Sequence, residues 1–397
     1  MTSPNLIKSR IQSIDVVRGM VMVIMALDHV RDYFHATAMT DDPLNLNTTT
    51  PLLFFTRLIT HFCAPTFVFL SGTSIYLMSL KKTKAEVSRF VISRGFWLIF
   101  LELTLITFGW TFNPSYNMFV LQVIWAIGIS MVILGLLIHL PYKLIFAIGL
   151  LIVFGHNLLD YPEAARNGNV GFIWDLLNHG SFSAVYTLWL GHSIDVGYAF
   201  VPWLGVMILG YCFGKLYSPG VDAILRRKVL LRLGFCTLLL FIAVRLINGY
   251  GDPHPWTVQR NALYTFLSFL KVHKYPPSLL YVCMTLGVSM IVLALVERVK
   301  NKVTDFFNVF GRVPMFYYIL HLYLIHTICM ILFFVSGYTM KDAYAPKQLF
   351  AFRPDAFGYP LWVVYIIWAV VIFTLYPLCK KYNAYKSTHK QWWLSYL

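Results

Sequence analysis

Apolar stretches of about 20 residues recur along this chain, and each is long enough to cross the hydrocarbon core of a bilayer. Only 12% of the residues are charged, against roughly one quarter in soluble domains. Because lipid offers backbone polar groups no partner, spanning segments must form helices or a closed barrel. The apolar runs are continuous and lack the alternation of barrel strands. The sequence therefore predicts an all-α polytopic integral membrane protein.

A single transmembrane domain over residues 1–397 accounts for all of these runs. The stretch GFIWDLLNHGSFSAVYTLWLGH adds one candidate helix, interfacial or re-entrant, so the sequence predicts ten or eleven transmembrane helices. The ten clear spans lie near residues 14–35, 52–79, 92–112, 118–139, 143–159, 197–216, 229–248, 278–297, 313–336 and 359–378.

The net charge of +15 does not indicate a nucleic-acid partner, because the basic residues gather in alternate loops. This is the distribution that the positive-inside rule gives cytoplasmic loops, and it places both termini in the cytoplasm. The basic segments are Lys8 with Arg10, residues 81–89, Lys143, and residues 225–228, 298–302 and 380–390. The loops predicted to face outward are residues 36–51, 160–196, 249–277 and 337–358.

The first span, near residues 14–35, contains the stretch SIDVVRGMVMVIMALDHVRDYF at residues 13–34, which carries Asp15, Arg18, Asp28, His29 and Asp32. Eleven residues separate Arg18 from His29, which on a helix puts them on one face about 16 Å apart. Ionisable groups at membrane depth are costly and mark a pathway or a site, although pairing with neighbouring helices is the structural alternative. By the predicted topology, Arg18 lies near the cytoplasmic end and His29 in the outer half.

Other spans carry polar residues at similar depth. Those in the middle or outer half are Arg57, His61, Glu102, Gln122, Tyr317 and His321. The inner edge carries Arg89, Arg94 and Arg312, which positive-inside anchoring also explains. Together they predict a polar chamber that opens outward, above an arginine-lined mouth that opens inward.

Five stretches resemble bacterial members of the heparan-α-glucosaminide N-acetyltransferase family, within the transmembrane acyltransferase superfamily. The resemblance runs from Ser13 to about His326 in the expected order, and the ten residues between Arg18 and His29 match the arginine–histidine motif of related integral-membrane O-acyltransferases. The stretches are SIDVVRGMVMVIMALDHVRDYF, HFCAPTFVFLSG, VPWLGVMILGY, KYPPSLLYVCMTLG and GRVPMFYYILH.

The resemblance implies an enzyme that moves an acetyl group from cytoplasmic acetyl-CoA to a sugar amine or hydroxyl on the outer face. It implies His29 as the general base, whereas the lysosomal branch points to a later histidine, here His35; the position of His29 on the helix face favours His29. A histidine titrates near neutral pH, as a general base requires. Asp28 or Asp32 would orient the imidazole.

The remaining candidate residues fall into two groups, one near His29 and one at the predicted cytoplasmic mouth. Arg57, Tyr317 or His321 would donate to the oxyanion, with His61, Glu102 and Gln122 as further acceptor contacts. Arg89, Arg94 and Arg312 would bind the CoA phosphates. No cysteine or histidine spacing indicates a metal site.

A transporter or permease with an intramembrane Arg/His/Asp relay is the alternative function. Against it, the sequence has no inverted repeat of the kind that many carriers show. The acceptor's identity, the acyl chain length, direct transfer or an acetyl-enzyme intermediate, and a homo-oligomer all stay open. The predicted location is the bacterial inner membrane.

Overall fold

The computed structural model describes residues 11–165, 171–182, 185–344 and 350–395. Lys8 and Arg10 lie outside the described residues, as do parts of the outward loops 160–196 and 337–358. The helices are α1 Gln12–Phe34, α2 Pro51–Thr60, α3 Cys63–Ser79, α4 Lys84–Leu101, α5 Thr107–Thr111, α6 Val123–Leu137, α7 Tyr142–Gly155, α8 Asp160–Ala165, α9 Phe172–Leu177, α10 Phe200–Phe213, α11 Ala223–Ile247, α12 Ala262–Leu270, α13 Leu279–Val296, α14 Lys302–Arg312, α15 Pro314–Val335, α16 Met340–Ala343 and α17 Leu361–Thr388.

Eight helical segments in the described chain are long and apolar enough to span a membrane, by length and composition. Three of them join consecutive elements: α2 with α3, α4 with α5 through a π-helical turn at Glu102–Ile106, and α7 with α8. The helix α1 carries too many charges to count among the eight, and α6 has only 15 residues. These two bring the number to the ten predicted spans, and the prediction of an all-α polytopic membrane protein is confirmed.

The helix α1 lies at the centre of the bundle. Of its 23 residues, 17 are buried, and it packs against α14, α17, α15 and α3. Its ionisable side chains therefore contact protein and internal cavities in place of lipid, which is where such groups are tolerated in a membrane.

The backbones of α1 and α14 touch at one point. A Cβ atom added to Gly19 would lie 1.8 Å from the carbonyl oxygen of Phe307, and one added to Gly311 would lie 1.8 Å from that of Asp15. Only glycine permits this approach, which brings the inner end of α1 against α14.

The start of α1 and the end of α17 lie on the same side of the bundle. The outer end of α1 meets the start of α17, where the Tyr359 N–H donates to the Phe34 carbonyl at 2.7 Å and the Ala36 N–H donates to the Tyr359 carbonyl at 3.0 Å. The first and last helices therefore run antiparallel.

A small sheet lies at the end of the bundle that is predicted to face outward. It consists of β1 (Met118–Leu121), β2 (Val185–Thr187) and β3 (Ser193–Val196), in the order β1-β3-β2. The strands β1 and β3 are parallel, and β2 and β3 are antiparallel. The span predicted near 118–139 therefore begins only at Val123, because its first residues extend the sheet. The stretch predicted as an eleventh helix, residues 171–192, contains the short helix α9 and the strand β2, and β3 follows it directly.

A buried aspartate in the central strand, Asp195 in β3, leads us to expect that the stability of the protein depends on pH. Asp195 is buried with one carboxylate oxygen lacking a partner among the described residues, and burial, with the charge of Asp175, raises the pKa of Asp195 to about 7. Since this pKa exceeds that of the unfolded chain, the folded state binds more protons between about pH 4 and 7, and stability falls as pH rises through that window. We expect Asp195→Asn to raise the melting temperature by a few degrees at pH 8 and to leave it nearly unchanged at pH 4. Thermal unfolding in detergent measures this, with the exposed Asp355→Asn as control; an equal response in both variants would contradict it.

Candidate active site

Three cavities follow α1 from one end of the bundle to the other. The outer cavity, of about 350 Å³, contains His29; the middle cavity, of about 110 Å³, lies beside Met22; the inner cavity, of about 430 Å³, contains Arg18. Neighbouring cavities share lining residues, so they lie in series. The outer and middle cavities share Met25, Phe67 and Val123, and the middle and inner cavities share Arg18, Ser71, Arg94, Met131 and Pro314.

His29 is held by a second histidine from α15. The His29 Nδ1 lies 2.7 Å from the His321 Nε2, and the His321 Nδ1 lies 3.1 Å from the carbonyl oxygen of Tyr317. A carbonyl oxygen only accepts, so this geometry assigns the proton of His321 to Nδ1 and leaves its Nε2 as an acceptor. His29 then donates through Nδ1 and keeps an unprotonated Nε2. In this tautomer His29 has a lone pair available to take a proton.

The two aspartates beside His29 bind cations and not the imidazole. Arg57 Nη1 contacts both Asp28 carboxylate oxygens, at 2.6 and 2.5 Å, and Arg31 Nη2 reaches Asp28 at 2.9 Å and Asp32 at 2.6 Å. The Lys274 ammonium lies 4.0 Å from Asp28. The expectation that Asp28 or Asp32 orients His29 is therefore not what the structure shows, because His321 occupies that position. Arg57, predicted as an oxyanion donor, likewise has its Nη1 bound to Asp28.

The network leaves an excess of positive charge on one wall of the outer cavity. Arg31, Arg57 and Lys274 face only the carboxylates of Asp28 and Asp32 within it. The neighbouring Tyr275 responds to this charge: burial alone would raise its pKa, but Lys274 and Arg57 outweigh burial and lower it below the ordinary value. This wall therefore suits polar or anionic groups of a ligand.

Several residues predicted for the site do not line the outer cavity. Glu102 accepts the backbone N–H of Trp125 at 2.8 Å and so caps the start of α6, where a carboxylate is favoured. The His61 ring bonds the Arg57 carbonyl, the His35 ring bonds Thr37, and the Tyr317 ring stacks on His321. Gln122, in contrast, lines the outer cavity as predicted.

The inner cavity has two arginines in its wall. Arg18 donates to Asp15 at 3.2 Å, to the Gly311 carbonyl at 3.3 Å and to Ser74 at 2.9 Å, and Arg94 lines both the inner and the middle cavity. Of the other two predicted arginines, Arg89 is exposed on α4 and Arg312 lies 4.0 Å from Asp15, and neither lines any of the three cavities. Arg18, predicted with the catalytic group, thus lies about three helical turns from His29.

Among the residues that line the outer cavity, the sequence analysis did not name Trp110, Lys274 or Tyr275. Tyr318, which lines the middle cavity, lies next to Tyr317 in GRVPMFYYILH, and Lys274 and Tyr275 begin KYPPSLLYVCMTLG. Trp110 lacked any local signal, since aromatic residues are common in apolar helices. In the described part of the chain, no group of three or more His, Cys, Asp or Glu side chains could hold a metal ion.

Comparison with known proteins identifies the class to which this site belongs. Residues 10–244 match the family described as heparan-alpha-glucosaminide N-acetyltransferase, catalytic. The match covers more than half of the chain and includes His29, Arg57, Arg94 and Trp110. The chain therefore belongs to this family and is a transmembrane acetyltransferase. No curated protein matches the sequence significantly.

Proposed function

We propose that this protein transfers an acetyl group from cytoplasmic acetyl-CoA to an amine or hydroxyl of a sugar on the outer face of the membrane. The observation that carries the proposal is the series of three cavities along α1, which joins Arg18 to His29 through the bundle. Such a path lets donor and acceptor approach from opposite sides. The family's activity favours acyl transfer over a transporter that uses the same charged residues.

The inner cavity suits the nucleotide end of acetyl-CoA. Arg18 and Arg94 supply the guanidinium groups that phosphates require, and the inner cavity is the larger of the two cavities that Arg94 lines. The middle cavity, of about 110 Å³, is lined by Met22, Met25 and Leu98 and suits a linear, largely apolar arm. An acetyl-CoA molecule bound in this way presents its thioester toward His29.

His29 then acts as the general base. Its Nε2 removes the proton of the acceptor amine or hydroxyl as that group attacks the thioester carbon, and a new C–N or C–O bond forms. The C–S bond breaks, and the imidazolium returns the proton to the departing thiolate. Because His321 accepts from His29 Nδ1, it holds the ring and stabilises its charged form without itself needing a carboxylate. His321 is therefore a positioning residue.

The outer cavity receives the acceptor. Gln122, Lys274 and Tyr275 line it together with Asp41 and Asp42. We place the protein in a bacterial inner membrane with both termini in the cytoplasm, since the basic loops lie on the side of the inner cavity.

Purified protein supplied with acetyl-CoA and glucosamine tests the proposal. We expect release of CoA that requires the acceptor, together with saturable binding of acetyl-CoA. Binding of acetyl-CoA without release of CoA would be consistent with the acetyltransferase but would exclude glucosamine as its acceptor. If the protein showed no binding of acetyl-CoA and no release of CoA, the proposal would be overturned.

Arg94 gives a separate prediction about the donor site. We expect Arg94→Gln to weaken acetyl-CoA binding about ten- to a hundred-fold, because a charge-assisted contact to phosphate contributes roughly 1.5–3 kcal/mol. Isothermal titration measures the affinity, and Arg89→Gln on the same helix is the matched control because Arg89 lines no cavity. Equal losses in the two variants would show that only the overall charge of the inner face matters.

A further inference from the structure

Two buried hydrogen-bond donors lie against His29 with no acceptor. The Trp110 indole N–H and the Tyr318 hydroxyl have no hydrogen-bond partner among the described residues, and each side chain belongs to a residue only 4% exposed. Leaving such a group unsatisfied costs about 1–3 kcal/mol, so its persistence calls for an explanation. We propose that Trp110 Nε1 and Tyr318 Oη form the oxyanion hole of the acyl transfer, a role that rests on the proposed function.

The position of the two groups supports this assignment. The Trp110 ring lies 4.7 Å from the His29 ring and lines the outer cavity, whereas the Tyr318 ring lies 6.3 Å from His29 and lines the middle cavity. The indole N–H and the Tyr318 oxygen also lie close enough to interact, so the two donors are adjacent. The two donors thus flank the junction where a thioester carried by the middle cavity would meet His29.

Alternative donors at this junction are already engaged. Arg57 contacts both carboxylate oxygens of Asp28, and His321 donates to a backbone carbonyl. Arg31 also has an unpartnered Nε, but its guanidinium is fixed between Asp28 and Asp32. Tyr317 has an unpartnered hydroxyl as well and lines none of the three cavities.

The ligand of this site is the carbonyl oxygen of the thioester. When the acceptor attacks the carbonyl carbon, the π electrons move onto the oxygen, and His29 Nε2 takes the acceptor's proton. The oxyanion collapses to a carbonyl as the C–S bond breaks and the electron pair leaves with sulfur. Donors that are fixed before the reaction stabilise the charge that develops on oxygen, and they do so most strongly in the transition state.

Removal of each donor gives a kinetic test. We expect Tyr318→Phe and Trp110→Phe each to lower kcat about 10²–10³-fold, with the KM for acetyl-CoA little changed, because an oxyanion donor acts mainly in the transition state. The matched controls are Tyr382→Phe and Trp203→Phe, which remove the same groups from buried, unpartnered positions outside the cavities. Wild-type kcat in both cavity variants would overturn the proposal.

A spectroscopic test requires no acceptor. Donors aimed at the carbonyl oxygen polarise the C=O bond, so acetyl-CoA labelled with ¹³C at the carbonyl should show a lower stretching frequency when bound to the wild-type protein. We expect this shift to shrink in Tyr318→Phe and Trp110→Phe and to persist in the two controls. An unshifted band in the bound wild type would overturn the oxyanion hole while leaving acetyl-CoA binding intact, whereas no binding at all would overturn the proposed function itself.

Discussion

Replacing His29 by glutamine is expected to lower kcat for acetyl transfer about 10²–10⁴-fold. Glutamine preserves a polar side chain of similar length but cannot take a proton, and general-base catalysis contributes a factor of this size. The KM for acetyl-CoA should change little, because Arg18 lies about three helical turns away and Arg94 lines only the middle and inner cavities. Initial rates of CoA release by the detergent-purified variant measure both quantities.

The matched control for this variant is His35→Gln. His35 directly follows α1, and its ring bonds Thr37 and lines none of the three cavities. We expect this variant to retain transfer close to the wild-type rate. The opposite ranking, with His35→Gln inactive and His29→Gln active, would move the base to His35 and make the His29–His321 pair a packing contact.

Most of the bundle is predictable from hydropathy because the bilayer imposes one length on every span. The exceptions have a common physical cause. Residues 118–121 are apolar enough to extend a helix, but they hydrogen-bond to β3, which lies more than 70 residues further along the chain. The strand β3 is fixed by the same distant pairing with β1, and β2 joins the sheet only by pairing with β3. No local sequence pattern indicates such pairing. The sequence analysis therefore did not predict the sheet, and it placed the start of the α6 span before Val123.

The candidate site is likewise predictable from the sequence only in part. The 3.6-residue period of a helix is sufficient to place Arg18 and His29 on one line, and the cavities follow that line. Which side chain contacts which is a matter of tertiary packing. The partner of His29 comes from α15, 292 residues away. The partners of Asp28, Arg57 and Lys274, likewise come from two other segments of the chain.

Asp28→Asn is expected to cause the largest loss of stability. Asp28 neutralises Arg57, Arg31 and Lys274 in a buried setting, with its own side chain only 11% exposed. The neutral amide leaves those three cations with Asp32 as their only carboxylate in the network. Removing one partner from a buried ion pair costs roughly 3–5 kcal/mol, because the remaining charge stays desolvated. The apparent melting temperature and the folded yield in detergent measure this loss.

Asp32→Asn separates a structural role of Asp28 from a catalytic one. Within the described residues Asp32 forms an ion pair with Arg31 only, and its side chain is 29% exposed, so solvent screens the charge and the loss of stability should be small. A folded Asp28→Asn protein with a wild-type melting temperature and no transfer would show that Asp28 acts on the reaction, as its position beside His29 in the sequence predicts. An unstable Asp28→Asn with a stable Asp32→Asn would show that Asp28 is there to hold three cations in one wall of the cavity.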